Sequence, residues 1–253
     1  MKTILRTRCL WIIALVLAAA PLRAETLQKS VDQALVVIKE FKEIPEESIP
    51  VEVLRDAKGI AVLTVVKAGF IFSARGGQGV VLARTPAGWS GPSAIGTGGA
   101  GFGLQIGLQA TEFVMVLNTP AAVRAFAQGG NFELGADLSV AAGPVGRHVA
   151  AGVLPTAAVY TYSRSQGAFA GISLEGTVII TKKERNAEYY GRPVEAGDIL
   201  SGKISPPAGA RALIRELVAS SAGAMPPVRA LPVTKASVAR PAAPSTVKAV
   251  PSR

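Results

Sequence analysis

The sequence predicts an α+β domain: a strongly curved antiparallel β-sheet, or a barrel-like core, with helices flanking it at the N- and C-terminal ends. Three observations predict it. Apolar residues alternate with polar or glycine residues through the middle of the chain, 25 of the 27 glycines lie between Gly59 and Gly202, and helical spacing is confined to the two ends and one interruption.

The alternation defines the strands, because successive side chains of a strand point to opposite faces and a half-buried strand is apolar at every second position. Phe102, Leu104, Ile106 and Leu108 alternate with Gly103, Gln105 and Gly107, and Phe132 to Val140 alternates with Glu133, Gly135, Asp137 and Ser139. Further strands are predicted at 60–66, 69–74, 79–84, 111–117, 157–163 and 168–181, with short connections that suit antiparallel pairing. Glycine at this density inside strands marks bends, bulges or close backbone approach, which favours a curved sheet over a flat one.

The helices have their own signatures. Leu27, Val31, Leu35, Ile38 and Phe41 recur at helical spacing and predict one amphipathic helix of about four turns. A shorter helix should follow Pro50 and end at Gly59. In mid-chain, Thr119 suits an N-cap, Pro120 the first helical position and Gly129 a left-handed exit, so a helix there should present Val123 and Phe126 to the sheet. A last helix is expected from about Pro207 to Ser220, carrying Leu213, Ile214 and Leu217.

Residues 1–24 read as a signal peptide, since Lys2, Arg6 and Arg8 precede an apolar run from Leu10 to Ala20 and cleavage fits best after Ala24. That run is too short to span a bilayer. The single cysteine, Cys9, lies within the signal at the junction of its charged and apolar parts, so the mature chain is expected to have no disulfide, thiolate ligand or lipid anchor, and to be periplasmic or secreted. Residues 25–222 form one expected domain. Residues 223–253, with six prolines, five basic and no acidic residues, form a Pro/Ala-rich tail expected to be disordered.

The net charge of +10 at first suggests nucleic acid, but residues 25–222 hold 18 basic and 17 acidic side chains, and the excess lies in the two ends. Interleaved basic and aromatic residues are absent as well, so no nucleic-acid partner is expected. Enzymatic readings fail for want of side chains. His148 is the only histidine, which excludes a metal cluster built on imidazoles, and it reads as a loop residue beside Arg147. Ser90, in Gly88-Trp89-Ser90-Gly91-Pro92, misses the spacing of a serine elbow. Gly96-Thr97-Gly98-Gly99-Ala100-Gly101 fits the letters of a dinucleotide fingerprint, but it opens an alternating segment rather than a helix, so no cofactor is expected. Glu112, Asp137 and Glu175 each fall in a predicted strand; a bound hard cation is the alternative to exposed strand faces, and no metal is assigned.

Several segments taken in order carry a resemblance. They run from Ile49-Pro50, Val53-Leu54 and Ala57-Lys58-Gly59-Ile60 through Lys67-Ala68-Gly69-Phe70, Gly77-Gln78-Gly79-Val80, Trp89-Ser90-Gly91-Pro92-Ser93 and Gly103-Leu104-Gln105-Ile106-Gly107. They continue with Val116-Leu117-Asn118, Ala142-Gly143-Pro144-Val145-Gly146-Arg147, Tyr162-Ser163-Arg164-Ser165-Gln166-Gly167, Phe169 to Gly176, and Tyr189-Tyr190-Gly191. Over residues 26–218 the chain resembles the SYLF domain family, which includes a yeast actin-patch protein and animal relatives with an SH3 domain. The resemblance implies a domain without known catalysis that binds anionic phospholipids, phosphoinositides in eukaryotic members, and actin in the yeast one.

Two departures narrow what transfers. Animal members lead with a strongly basic amphipathic helix, whereas Lys29, Lys39 and Lys42 here are mixed with Asp32, Glu40 and Glu43. The export signal also suggests a bacterial envelope, where phosphoinositides and actin are not expected. The expectation is therefore a non-catalytic module of the envelope that binds anionic phospholipid and sits peripherally on a membrane. The alternative is a structural or partner-binding envelope protein that recognises a protein or a cell-wall polymer. Headgroup contacts are assigned to Lys182, Lys183 and Arg185, expected to point together past the rim of a strand ending at Ile180, and to Lys58 and Lys67, which flank an apolar run. Each such charge contributes about 1 kcal/mol near an anionic surface.

Overall fold

A computed structural model describes residues 26–43, 48–69, 72–102, 107–144, 157–167 and 177–222. These fall in one unit of the chain, which ends at Gly223. The N-terminal helix α1 (Leu27–Glu43) buries Leu27, Val31, Ala34, Val37, Ile38 and Phe41. Each large apolar side chain among these contributes about 1.5–3 kcal/mol by leaving water. After it come α2 (Val51–Asp56) and the strands β1 (Gly59–Gly69), β2 (Phe72–Thr85), β3 (Gly88–Trp89), β4 (Ser93–Phe102) and β5 (Gly107–Leu117). Next follow α3 (Pro120–Ala127), β6 (Asn131–Leu134), β7 (Val140–Ala142), β8 (Val159–Gly167) and β9 (Thr177–Thr181). Helices α4 (Lys183–Tyr190) and α5 (Ala196–Leu200), a 3-10 turn (Ala208–Ala210) and α6 (Arg211–Ser221) complete the described chain.

The strands form a strongly curled sheet in the order β6-β9-β4-β2-β1-β5-β8-β7, with β3 paired to β2. All pairs are antiparallel except β7 with β8. The predicted α+β class, curved sheet and flanking helices are all present. Helix α3 is built as its sequence requires: the Thr119 hydroxyl accepts a hydrogen bond from the Ala122 N–H at 3.1 Å, and Gly129 takes the left-handed exit at φ 69°. Its Phe126 meets Phe132 edge to face, with ring centroids 4.7 Å apart.

Curvature depends on glycine at identifiable places. A Cβ on Gly79 would overlap the Val62 carbonyl, and one on Gly77 would come within 2.8 Å of both Thr97 and Val65. Any side chain there forces β1 and β2 apart, so the tight coil of this pair needs residues without one.

Both faces of the sheet are buried near its middle. On one face, Ile60, Val62, Val80, Leu82, Val114, Val116, Tyr160 and Tyr162 pack under α1, α2 and α6. On the other, Leu63, Val65, Ile95, Phe113, Met115, Leu117 and Ile179 pack with Phe126 of α3 and Leu200 of α5.

Three sequence expectations are corrected. Of the predicted strand 69–74, Gly69 ends β1, residues 70–71 lie outside the described residues, and 72–74 begin β2, the same strand that holds the predicted 79–84, because pairing to β1 on one side and β4 on the other holds Gly76, Gly77 and Gly79 extended. The predicted strand from Phe132 to Val140 is two strands, broken where Gly135 turns at φ 97°. Asp137 therefore sits in a turn, where its carboxylate accepts the Glu133 N–H at 2.6 Å. Helices α4 and α5 were not foreseen. Glu175, His148 and most of the expected strand 168–181 lie outside the described residues.

Candidate functional site

The helix-covered face is best followed row by row across the sheet. Strand register aligns Tyr162, Val114, Val62, Val80 and Ala94, all buried beneath the helices. The next row outward is Arg164, Glu112, Thr64, Gln78 and Gly96, a polar stripe. Beyond it lie Ala110, Val66, Gly76 and Gly98, and then Leu108, Ala68 and Ala74. These two outer rows are apolar yet uncovered: Val66 is 44% and Leu108 66% exposed. The polar stripe thus divides a core roofed by helices from an apolar apron that no element among the described residues roofs.

A cleft of about 990 Å³ opens along this boundary. Its walls include Lys29, Ser30 and Gln33 of α1, and its floor includes Val62, Thr64, Val66, Ala68 and Ala74. Among the described residues of its lining, Lys29, Lys182 and Arg185 supply positive charge, against one carboxylate, that of Glu112. Arg185 donates to the Gln78 side-chain oxygen at 2.6 Å, fixing its guanidinium over the polar stripe. The Lys182 chain passes over Gly96, where a Cβ would come within 2.6 Å of its Cε.

Helix α4 brings these two cations to the cleft, and a buried asparagine fastens the helix. Asn186 is fully buried; its Oδ1 accepts the Ala94 N–H at 2.7 Å and its Nδ2 donates to Ser93 Oγ at 3.0 Å. The Tyr190 hydroxyl adds a bond to the Pro92 carbonyl at 3.0 Å. Burial raises the Tyr190 phenol above its ordinary pKa, so the donor keeps its proton.

Glu112 is the unusual side chain of the cleft. It is 8% exposed, and Gln33 Nε2 donates to its Oε1 at 2.8 Å. Its Oε2 is buried with no hydrogen-bond partner among the described residues. Burial, foremost, raises the pKa of this carboxyl; Gln33 opposes that, nearby Glu40 adds to it, and Arg164 opposes it. Arg164 is itself engaged by Glu40 at 3.1 Å, which explains why its help to Glu112 is small.

The five basic residues assigned from sequence do not form one cluster. Lys182 and Arg185 meet at the cleft. Lys183 turns away to Glu195, 3.0 Å from its Oε2, because it stands on a helix rather than at a strand end. The expected joint projection of Lys182, Lys183 and Arg185 past a strand rim is thus corrected. Lys58 and Lys67 stand at opposite ends of β1, nine residues and so about 30 Å apart. Alternation also puts Lys67 on the face of β1 opposite Thr64 and Val66. Gln33, Glu112 and Gln78 were missed as a set, because only register reveals that they share a row.

Other motifs resolve into structure. Gly96 to Gly101 lie within β4 and open no helix. Ser90 Oγ accepts the Ala83 N–H at 2.9 Å and donates to the Gly91 carbonyl at 2.9 Å, so both of its bonding roles are used. Arg84 covers the Trp89 ring at 4.5 Å and donates to the Ala57 and Leu54 carbonyls, tying β2 to α2. A smaller hollow of about 470 Å³ near Arg192 carries charges that pair with one another, Asp198 with Lys203 at 2.9 Å and Glu195 with Lys183. Among the described residues no group of three or more His, Cys, Asp and Glu side chains is placed to hold a metal, and no helix is long and apolar enough to cross a membrane.

Fold and cleft define a curled-sheet α+β module with a cationic, amphipathic groove. The family described as Las17-binding protein actin regulator, Ysc84, matches residues 98–220. The chain is 47% identical over 199 residues to the SH3 domain-containing YSC84-like protein 1 of Bos taurus, covering 76% of this chain and 58% of that one. It is 49% identical over 190 residues to the protein of that name in Xenopus laevis, covering 72% and 57%. To LAS seventeen-binding protein 3 of Saccharomyces cerevisiae it is 47% identical over 177 residues, covering 68% and 39%. The chain spans about half the length of the curated relatives it matches. It belongs to the Ysc84, or SYLF, family.

Proposed function

We propose that this chain is a non-catalytic binding module that attaches peripherally to membranes rich in anionic phospholipid. The observation that carries the reading is the apolar apron of Val66, Ala68, Ala74 and Leu108 lying beside Lys182 and Arg185. An uncovered apolar surface rimmed by positive charge matches the two parts of an anionic lipid, and it is unusual on a surface that meets only water. With residues 1–24 read as a signal peptide, the membrane is one of a cell envelope and the module is periplasmic or secreted. Lys58, Lys67 and Lys183 recede from the account, since they stand apart from the apron.

Partition of the purified chain into phosphatidylglycerol vesicles, against phosphatidylcholine vesicles, tests the reading. Preference for phosphatidylglycerol that fades as salt rises is the expected result. Equal binding to both, or to neither, refutes it.

A second reading has its own support. The yeast relative is named for binding LAS seventeen, which gives a protein partner a precedent among the relatives of this chain. On this reading the apron is the surface that recognises an envelope protein or polymer.

A further inference from the structure

We propose that the cleft beneath α1 is an internal site for one glycerophospholipid molecule, with Glu112 hydrogen-bonded to its ester or hydroxyl region, its phosphate at Lys182 and Arg185, and an acyl chain on the apron. This rests on the lipid reading above and goes further: surface attachment needs only charge and an apolar rim, whereas this site takes a single lipid out of the bilayer plane.

Three independent features converge on it. The first is Glu112 Oε2, a buried polar atom with no hydrogen-bond partner among the described residues. Buried polar atoms are nearly always hydrogen-bonded, and leaving one bare costs free energy that a ligand group at this point recovers. The second is size. At about 990 Å³ the cleft lies at the upper end of the roughly 300–1,000 Å³ typical of small-molecule sites. The third is the order of groups along the polar stripe. Glu112 and Gln78 are two strands apart, about 10 Å, and Arg185 is bonded to Gln78. Carboxyl and cation therefore face one molecule, while the rows outside them offer its chain an apolar bed.

The neighbours of Glu112 decide its chemistry. Gln33, Lys29 and Glu40 of α1 face this region with Thr64 of β1 and Arg164 of β8. The raised pKa makes Glu112 a hydrogen-bond donor through its free oxygen over more of the pH range than an ordinary carboxyl, which suits an ester carbonyl or a hydroxyl as acceptor.

The test separates retention from attachment. The full chain is mixed with phosphatidylglycerol vesicles, the vesicles are removed, and lipid still bound is counted by native mass spectrometry; co-sedimentation with vesicles is measured alongside. About one lipid per chain is expected for the wild type. Glu112→Leu should lower retention at least tenfold while vesicle binding changes less than threefold, and Val66→Trp, on the apron itself, should lower retention at least tenfold as well. Glu112→Gln, which keeps a donor, should stay within threefold of wild type. Vesicle binding without retained lipid, or retention indifferent to Val66→Trp and Glu112→Leu, overturns the internal site and leaves the attachment reading standing. Loss of both in the wild-type chain overturns both.

Discussion

Replacing Asn186 with alanine should cost about 3 kcal/mol of stability, and the reason is local. The side chain is fully buried and holds two groups of β4, the Ala94 N–H at 2.7 Å and Ser93 Oγ at 3.0 Å. Alanine leaves the Ala94 N–H buried without a partner, which costs about 1–3 kcal/mol, and it forfeits the Ser93 bond, worth about 1 kcal/mol more. In a domain of this size each kcal/mol moves the melting temperature by about 2–4 °C, so a fall of roughly 6–12 °C is expected. Differential scanning calorimetry with circular dichroism on the purified variant reads it directly. A fall of less than about 2 °C would show that the asparagine does not fasten α4, and the placement of Lys182 and Arg185 would lose its explanation.

Two other substitutions follow from the geometry. Gly79→Ala puts a methyl group into the Val62 carbonyl, so it should destabilise by at least the ~1–3 kcal/mol usual for overpacking, whereas Gly76→Ala, whose Cβ meets nothing within 4 Å, should change stability little; urea titration compares them. For the Lys42–Glu216 pair at 2.6 Å, the hydrogen bond from Lys42 holds the Glu216 carboxyl below its ordinary pKa. A depressed carboxyl contributes stability above its unfolded pKa and loses it as pH falls through the folded one, so Lys42→Met should cost up to ~1 kcal/mol at neutral pH and nothing in strong acid. Glu112 has the opposite sign: its raised pKa makes the fold lose stability as pH climbs above the ordinary carboxylate range, and Glu112→Gln should remove that slope in thermal melts from pH 4 to 8.

The elements with apolar periodicity were legible, and those without it were not. Helix α1 announced itself through Leu27, Val31, Ile38 and Phe41, and α3 through its cap and exit. Helix α4, by contrast, buries Asn186, so no apolar stripe marks it; the only cue was its exit at Gly191, left-handed at φ 69°. The same gap misplaced Lys183 and Arg185 at a strand end. Glycines in β2 suggested a break because glycine has no strand preference of its own, and the pairing on both sides that holds them extended is a long-range fact. The polar stripe of Glu112, Thr64 and Gln78 shares this character: three residues far apart in sequence become one feature only when register is known.

On the proposed reading, membrane attachment runs through the cations of the cleft and not through basic residues in general. Co-sedimentation with phosphatidylglycerol vesicles tests it most directly when two double variants of equal charge loss are compared. At about 1 kcal/mol per cation, Lys182→Ala with Arg185→Ala should weaken partitioning by about thirtyfold. Lys58→Ala with Lys183→Ala should weaken it less than threefold, because Lys58 stands at the far end of β1 and Lys183 is paired with Glu195. Equal losses in the two variants would contradict the claim, since attachment would then follow net charge and the cleft would have no part in it.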